Sequence, residues 1–264
     1  SHLGPPHTWE QLLHDATVIN RHGHSGRGFV WPGAPSSALT RTWVEFLADA
    51  GGRVYSSSGA PAMDSAAAVR ALSFLRSLIT AGVSPGTVAT QTSTAAIAAM
   101  RSGKATFLAA PVSAWHDLQM AGTSKVAGRI GVVPLPTFAG RPEPGFSASR
   151  AMDLFLNPHS AHVRQALEFI KFVTSKSAMR ELAVRYGQVP TTVAVQRMPA
   201  VLRLNPAYST LPAVRLLPLP SQTAHYAQVE ASVAARISAA LSGQASIASS
   251  LAEANASLAA SKRS

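Results

Sequence analysis

Apolar positions recur along the chain at helical and at strand spacing by turns, and that alternation predicts an α/β fold. Leu12, Leu13, Ala16 and Ile19 share one helical face behind Thr8 and Gln11, a pair able to form a capping box, so a helix is predicted from about Trp9 to Arg21. Gly28-Phe29-Val30-Trp31 reads as a short buried strand stopped by Pro32-Gly33. Leu39, Trp43, Phe46 and Leu47 then return to helical spacing until Gly51-Gly52 ends the run. Asp64 is placed to cap a further helix with Val69, Leu72, Leu75 and Ile79 on one face and Gly82 as its stop. A shorter helix over Ala95 to Met100, a small-residue strand over Ala105 to Ala110, a helix over Val112 to Met120 and a strand over Arg129 to Val133 continue the alternation. Such a series is expected to lay helices over a sheet.

Residues 151 to 156 read as another apolar strand, closed by Asn157-Pro158 ahead of a helix from about His159 to Val173. A second helix, about Lys176 to Tyr186, stops at Gly187. From Leu202 onward the pattern reads helical, roughly Ser209 to Leu217, His225 to Leu241 and Ile247 to Ala259, with Pro206, Pro218 and Pro220 as breakers. These last helices are alanine-rich and sparsely charged, so they must pack on something.

With 264 residues, 47% of them hydrophobic, the chain can build one large or two modest cores. No apolar run approaches the roughly 18 to 20 residues of a membrane-spanning helix, and zero cysteines exclude disulfides and thiolate metal sites. A net charge of +11, from 23 basic and 12 acidic residues, raises the question of nucleic acid. The spacing answers against it: Arg41, Arg70, Arg129, Arg164, Arg215 and Arg236 are scattered, without a basic stripe or interleaved aromatics. No nucleic-acid partner is expected, and the charge reads as a solvated basic surface facing an anionic envelope. Enzyme signatures are missing too. No Gly-x-Ser-x-Gly elbow surrounds a serine and no paired carboxylates stand out. His22-Gly23-His24 lacks a third metal ligand, and Gly23-His24-Ser25-Gly26-Arg27-Gly28 lacks the Lys-Ser/Thr ending of a phosphate loop. No catalytic residue, metal site or cofactor is assigned.

Eight segments in series carry a resemblance. They are Thr8-Trp9-Glu10-Gln11-Leu12-Leu13, Trp43 to Gly52, the Ala68 to Gly82 helix running into Val83-Ser84-Pro85, Met100 to Phe107, Gly131 to Pro136, Ala166 to Ser175, Gly187-Gln188-Val189-Pro190-Thr191-Thr192, and His225 to Val229 leading to Leu241-Ser242-Gly243. Together they cover nearly the whole chain, which resembles the C-terminal portion of extracellular solute-binding proteins of family 1, the sugar-binding subunits of ABC importers. The resemblance implies a periplasmic-binding-protein-like (type II) two-lobe architecture, with residues 8–145 and 201–264 in the second lobe and 146–200 in the first. Relatives carry a complete first lobe before the Thr-Trp-Glu segment, whereas seven residues precede Thr8 here, so the chain looks like a fragment: mainly one lobe plus a remnant of the other. The middle segment would then lack its partner sheet, leaving its hydrophobic face exposed or otherwise covered. An extracytoplasmic location, a lipid anchor in the full-length precursor and ABC permease membrane subunits as partners are implied by the resemblance alone.

Sugar sites set flat aromatic faces against a pyranose ring and surround it with planar hydrogen-bonding groups. Trp115 matches the family's cleft aromatic, and either lines the cleft or packs at a helix start. Trp31 lies where sugar binders place a Gln-Gly and an acidic contact, but Trp31-Pro32-Gly33-Ala34-Pro35-Ser36-Ser37 has no acid; it either stacks on ligand or is buried. Trp9 and Trp43 sit on apolar helical faces and are expected in the core. The family's Gly-Gly-Trp-Asn signature aligns with Arg150-Ala151-Met152-Asp153, so Met152 replaces the indole, and Arg150 and Asp153 are either polar ligand contacts or a surface pair. Tyr226 survives from an aromatic cluster and is a candidate cleft hydroxyl, whereas His225 reads as a helix-start residue. The function implied is capture of a saccharide or related polar solute without chemistry. The alternative is an interaction protein on the same scaffold that has lost sugar binding, which the replaced cleft residues favour.

Overall fold

The structure is a computed structural model that describes residues 4–21, 28–149, 153–218 and 226–261. Its elements run α1 (Trp9–Arg21), β1 (Phe29–Val30), α2 (Ser37–Asp49), α3 (Ala66–Thr80), α4 (Ser93–Arg101), β2 (Phe107–Leu108), α5 (Ala114–Leu118), β3 (Phe146–Ser149), α6 (Val163–Val173), α7 (Lys176–Tyr186), α8 (Val193–Gln196), α9 (Pro199–Leu204), β4 (Arg215–Pro218), α10 (Tyr226–Ser242) and α11 (Ile247–Ser261). Helix α1 begins where the capping pair places it: Thr8 Oγ1 accepts from the Gln11 amide at 3.1 Å, and Gln11 Oε1 accepts from the His7 amide at 2.9 Å. Helix α7 is bounded by equally local signals. Ser175 Oγ accepts from the Ala178 amide at 3.3 Å, and Gly187 closes the helix at φ +66°, a conformation that disfavours any residue with a Cβ.

Two compact units make up the chain. One comprises Ser1–Ala110, Pro134–Ser149 and Ala213–Ser264, the other Pro111–Val133 and Arg150–Pro212. The division differs from the sequence boundaries in two places: residues 111–133 group with the smaller unit, and the 146–149 strand groups with the larger one.

The larger unit has an aromatic core. Trp9, Trp31, Trp43, Phe29, Phe46 and Phe138 are all fully buried, and the Trp9 ring stacks on Phe46 with centroids 4.0 Å apart. Leu72, Leu75 and Leu78 of α3 and Ile237 of α10 join this core, and Leu251 and Leu258 of α11 extend it, so the alanine-rich terminal helices pack on the larger unit. Side chains of this size each contribute roughly 1.5–3 kcal/mol on burial. Strands β1 and β2 pair in parallel, Phe29 opposite Phe107, and β3 and β4 pair in parallel, Phe146 opposite Arg215. The smaller unit has a lesser core of Ala183, Val195, Val201 and Tyr208. Its helix α6 buries no residue at all, and Phe155, Phe169 and Phe172 stand 89%, 60% and 68% exposed.

Several expectations are corrected. Ser65, not Asp64, caps α3, accepting from the Ala68 amide at 3.3 Å, and Val69 is exposed because the buried stripe runs through Ala68, Ala71, Leu72, Leu75 and Leu78. Residues 129–133 form no strand, and of the strand expected at 151–156 the described residues 153–156 form none; the regular strand lies earlier, at Phe146–Ser149. Helix α6 starts at Val163 instead of His159. Where helix was expected from Ser209 to Leu217, the chain makes two 3₁₀ turns, Pro206–Ser209 and Leu211–Ala213, and then β4. Proline at 206 and 212 removes amide donors from any helical ladder there, and the strand is specified by pairing with β3, far away in sequence.

Candidate functional site

The expected ligand residues are divided between the units, Trp31 and Tyr226 in the larger and Trp115 and Asp153 in the smaller. Of the two readings open to Trp31, the structure takes the buried one and not the ligand-stacking one: it is fully buried, and its Nε1 donates to Ser84 Oγ at 3.0 Å while that hydroxyl donates to the Phe29 carbonyl at 2.9 Å. Its one polar atom is satisfied inside the larger unit, and burial of the whole side chain leaves no ring face open. Trp115, of the two readings open to it, takes the packing one: it is 9% exposed, and its Nε1 donates to the Leu204 carbonyl at 2.8 Å within the smaller unit. Asp153 is exposed. The Tyr226 hydroxyl donates to Glu230 Oε1 at 3.2 Å, one turn along α10, beside a small apolar pocket of about 30 Å³ that also touches Thr40, Tyr55 and Met63. That space is too small for a sugar ring. Arg150, Met152, His225 and the His22-Gly23-His24 segment lie outside the described residues. Among the described residues no group of three or more His, Asp or Glu side chains is gathered for a metal ion. Trp9 and Trp43 are core, as expected.

The most developed polar arrangement is one the sequence reading passed over. It begins in α2, where Glu45 and Asp49 stand one turn apart inside the apolar run from Trp43 to Ala50. Asp49 Oδ1 accepts from the Phe146 amide at 2.7 Å, Asp49 Oδ2 accepts from Trp9 Nε1 at 2.9 Å, and Glu45 Oε1 accepts from the Ala148 amide at 2.9 Å. Alternate amides of a strand face one edge, so the two carboxyl groups take the edge of β3 that β4 does not pair. Burial pushes Glu45 up to about 8; the neighbouring Asp49 charge adds to the rise, and the Ala148 amide and Arg41 oppose it. Burial likewise raises Asp49 to about 6 against the Phe146 amide, the Trp9 N–H, Arg215 and Arg141. At neutral pH Glu45 is therefore a neutral acid beside an ionised Asp49. The sequence signal was available: two acids at i and i+4 within an otherwise apolar helical face.

This strand has a particular place in the connectivity. The chain leaves the larger unit directly after β3, at Ser149, and re-enters it at Ala213, just before β4. The carboxyl groups of α2 thus fasten one strand of the β3–β4 pair, which lies at two of the four places where the chain passes between the units, the others being Ala110 to Pro111 and Val133 to Pro134.

Comparison with known proteins adds the family. The sequence profile of the bacterial extracellular solute-binding protein family matches residues 1–180. A probable ABC transporter-binding protein of Deinococcus radiodurans is 26% identical over 212 residues, which are 78% of this chain and 50% of that protein. Among solved structures, maltose-bound MalE3 of T. maritima superposes with a TM-score of 0.87 at 28% identity, covering 97% of this chain and 66% of its own. A solute-binding protein of Agrobacterium radiobacter in complex with ribitol gives a TM-score of 0.78 at 20% identity, over 96% of this chain and 64% of that one. The fold is the type II periplasmic-binding-protein-like fold, and the chain spans about half to two thirds of the length of these relatives.

Proposed function

Because this chain belongs to the bacterial extracellular solute-binding protein family, we propose that it is part of the substrate-binding component of an ABC importer, the subunit that captures a small polar solute outside the cell membrane and delivers it to a permease. A carbohydrate or polyol is the solute class assigned. The observation that carries the reading is the superposition of 97% of the chain on a maltose-bound protein at a TM-score of 0.87. The larger unit is read as the second lobe and the smaller unit as what this chain contains of the first. Strands β3 and β4 then serve as connecting strands about which such lobes close. Asp153 and Tyr226, with Arg150 and Met152, are proposed as contacts, and Trp115 contributes at most an edge. Binding of this kind needs no chemistry from the protein. Placement at the cell envelope by a lipid anchor belongs to the same reading.

A thermal-shift screen of the full-length coding sequence's product against monosaccharides, disaccharides, polyols and amino acids tests it. Stabilisation by a sugar or polyol supports the assignment; stabilisation by an amino acid alone corrects the solute class. No response to any of them leaves a second reading, an interaction protein on this scaffold that has lost capture. That reading is favoured by one observation: neither Trp31 nor Trp115 offers an open ring face. Stimulation of the partner ATPase by the solute-free protein is its signature.

A further inference from the structure

A groove of about 570 Å³ runs along the larger unit between the C-terminal half of α2, the turn after it, and strands β3 and β4. Its walls include Val44, Leu47 and Leu217, and three arginines from three separate segments line it: Arg53, Arg141 and Arg215. The volume falls in the range of small-molecule pockets, roughly 300–1,000 Å³. Two of the arginines, Arg215 and Arg141, are held in place, and Arg53 is exposed at the rim. Arg215 lies with its Cζ 3.9 Å from the centre of the Phe146 ring, and its Nη1 donates to the Pro142 carbonyl at 2.9 Å. Arg141 packs its guanidinium against Gly51, so closely that a Cβ there would stand 2.8 Å from Nη2; Gly51 also sits at φ +89°, so the turn is built around glycine on both counts. Among the described residues none of the three is in an ion pair. Asp49 is the acid whose charge Arg141 and Arg215 feel, but its oxygens accept from the Phe146 amide and the Trp9 N–H and it forms no ion pair with either arginine. Its single charge cannot neutralise three guanidinium groups. Fixed guanidinium groups on an apolar floor are complementary to a carboxylate or phosphate carried by an apolar body, since the planar fork matches two anionic oxygens at once.

We propose that this groove is a binding site for a small organic anion, a carboxylate or phosphate ester whose apolar part lies against Val44, Leu47 and Leu217. The site is contained in the larger unit and requires nothing from a sugar cleft.

Phenyl phosphate, benzoate and inorganic phosphate are the probes, titrated calorimetrically in 150 mM NaCl, with amide chemical shifts of the isotopically labelled chain followed in parallel. Phenyl phosphate or benzoate is expected to bind saturably, more tightly than inorganic phosphate, and to shift the amides of Gly51 to Tyr55 and Phe146. Whichever of the two aromatic anions binds tighter identifies the head group. Arg141→Gln and Arg53→Gln should each weaken binding at least about fivefold, the loss of one charge-assisted pair. Arg129→Gln removes the same charge from an exposed position in the other unit and should leave affinity unchanged. Equal weakening by Arg129→Gln would mean the anion feels only the overall charge of +11, and that result overturns the proposal. So does the absence of saturable binding by either aromatic anion, or shifts confined to other segments.

Discussion

Replacing Glu45 with glutamine should leave stability nearly unchanged at low pH and raise it at high pH. Glutamine keeps the carbonyl oxygen that can accept from the Ala148 amide, now at 2.9 Å from Glu45 Oε1, but it cannot ionise. The folded-state pKa of Glu45 is about 8 against an ordinary 4.5. A raised acid pKa means that the folded state holds the proton more tightly than the unfolded chain. Its stabilising contribution is therefore fully present below about pH 4.5 and is lost as pH climbs through 8. At about 1.36 kcal/mol for each pKa unit the ceiling is roughly 5 kcal/mol; because the side chain keeps partial contact with solvent, about 2–3 kcal/mol is the working figure. Asp49, raised to about 6 from 3.8, acts in the same direction at lower pH and is present in both proteins, so the difference between them isolates Glu45. Urea unfolding followed by tryptophan fluorescence at pH 5, 7 and 9 measures it. Parent and Glu45→Gln should agree within about 1 kcal/mol at pH 5, and the variant should be the more stable by about 2–3 kcal/mol at pH 9. A difference that stays constant from pH 5 to pH 9 would show that Glu45 ionises freely and that its burial against β3 is wrong.

Other outcomes follow from the same packing. Trp43→Ala removes a fully buried indole and should cost roughly 3–5 kcal/mol of stability in the larger unit, read by denaturant midpoint. Trp115→Ala should accelerate amide exchange across α7 to α9 of the smaller unit by at least about tenfold while leaving α2 and α3 unchanged, because its Nε1 bond to the Leu204 carbonyl lies wholly within that unit. Phe169→Ser with Phe172→Ser should lower self-association in light scattering without lowering stability by more than about 1 kcal/mol, since both rings are exposed. Unchanged scattering would mean that the bare face of α6 is not adhesive.

What could be read from the sequence was what is decided locally. The limits of α1 and α7 depend on Thr8, Gln11, Ser175 and Gly187, all within a few residues of the ends they fix, and both helices lie where the pattern put them. For the middle segment an apolar face either exposed or otherwise covered was expected, and in α6 it is the exposed outcome that is seen, with Phe169 and Phe172 open to solvent. Strand β4 was not foreseen: Arg215 to Pro218 becomes a strand only through pairing with residues near 146, and periodicity carries no information on partners so far apart. The same blindness explains Trp31. Its neighbours in sequence are compatible with a cleft, but Ser84, 53 residues away, completes its hydrogen bond in the core. Glu45 and Asp49 were legible as acids on an apolar face, yet the amides they accept from belong to a strand that was expected several residues later.

The central proposal is that solute capture requires two lobes, and this chain spans 66% of the length of the maltose-bound relative it superposes on. Isothermal titration of this chain with maltose, the solute in the T. maritima protein, tests it most directly. No saturable heat is expected up to millimolar sugar, because affinity in such sites comes from enclosing the ligand on both sides. Saturable binding at micromolar maltose would show that this chain already holds a complete site, and would contradict the account.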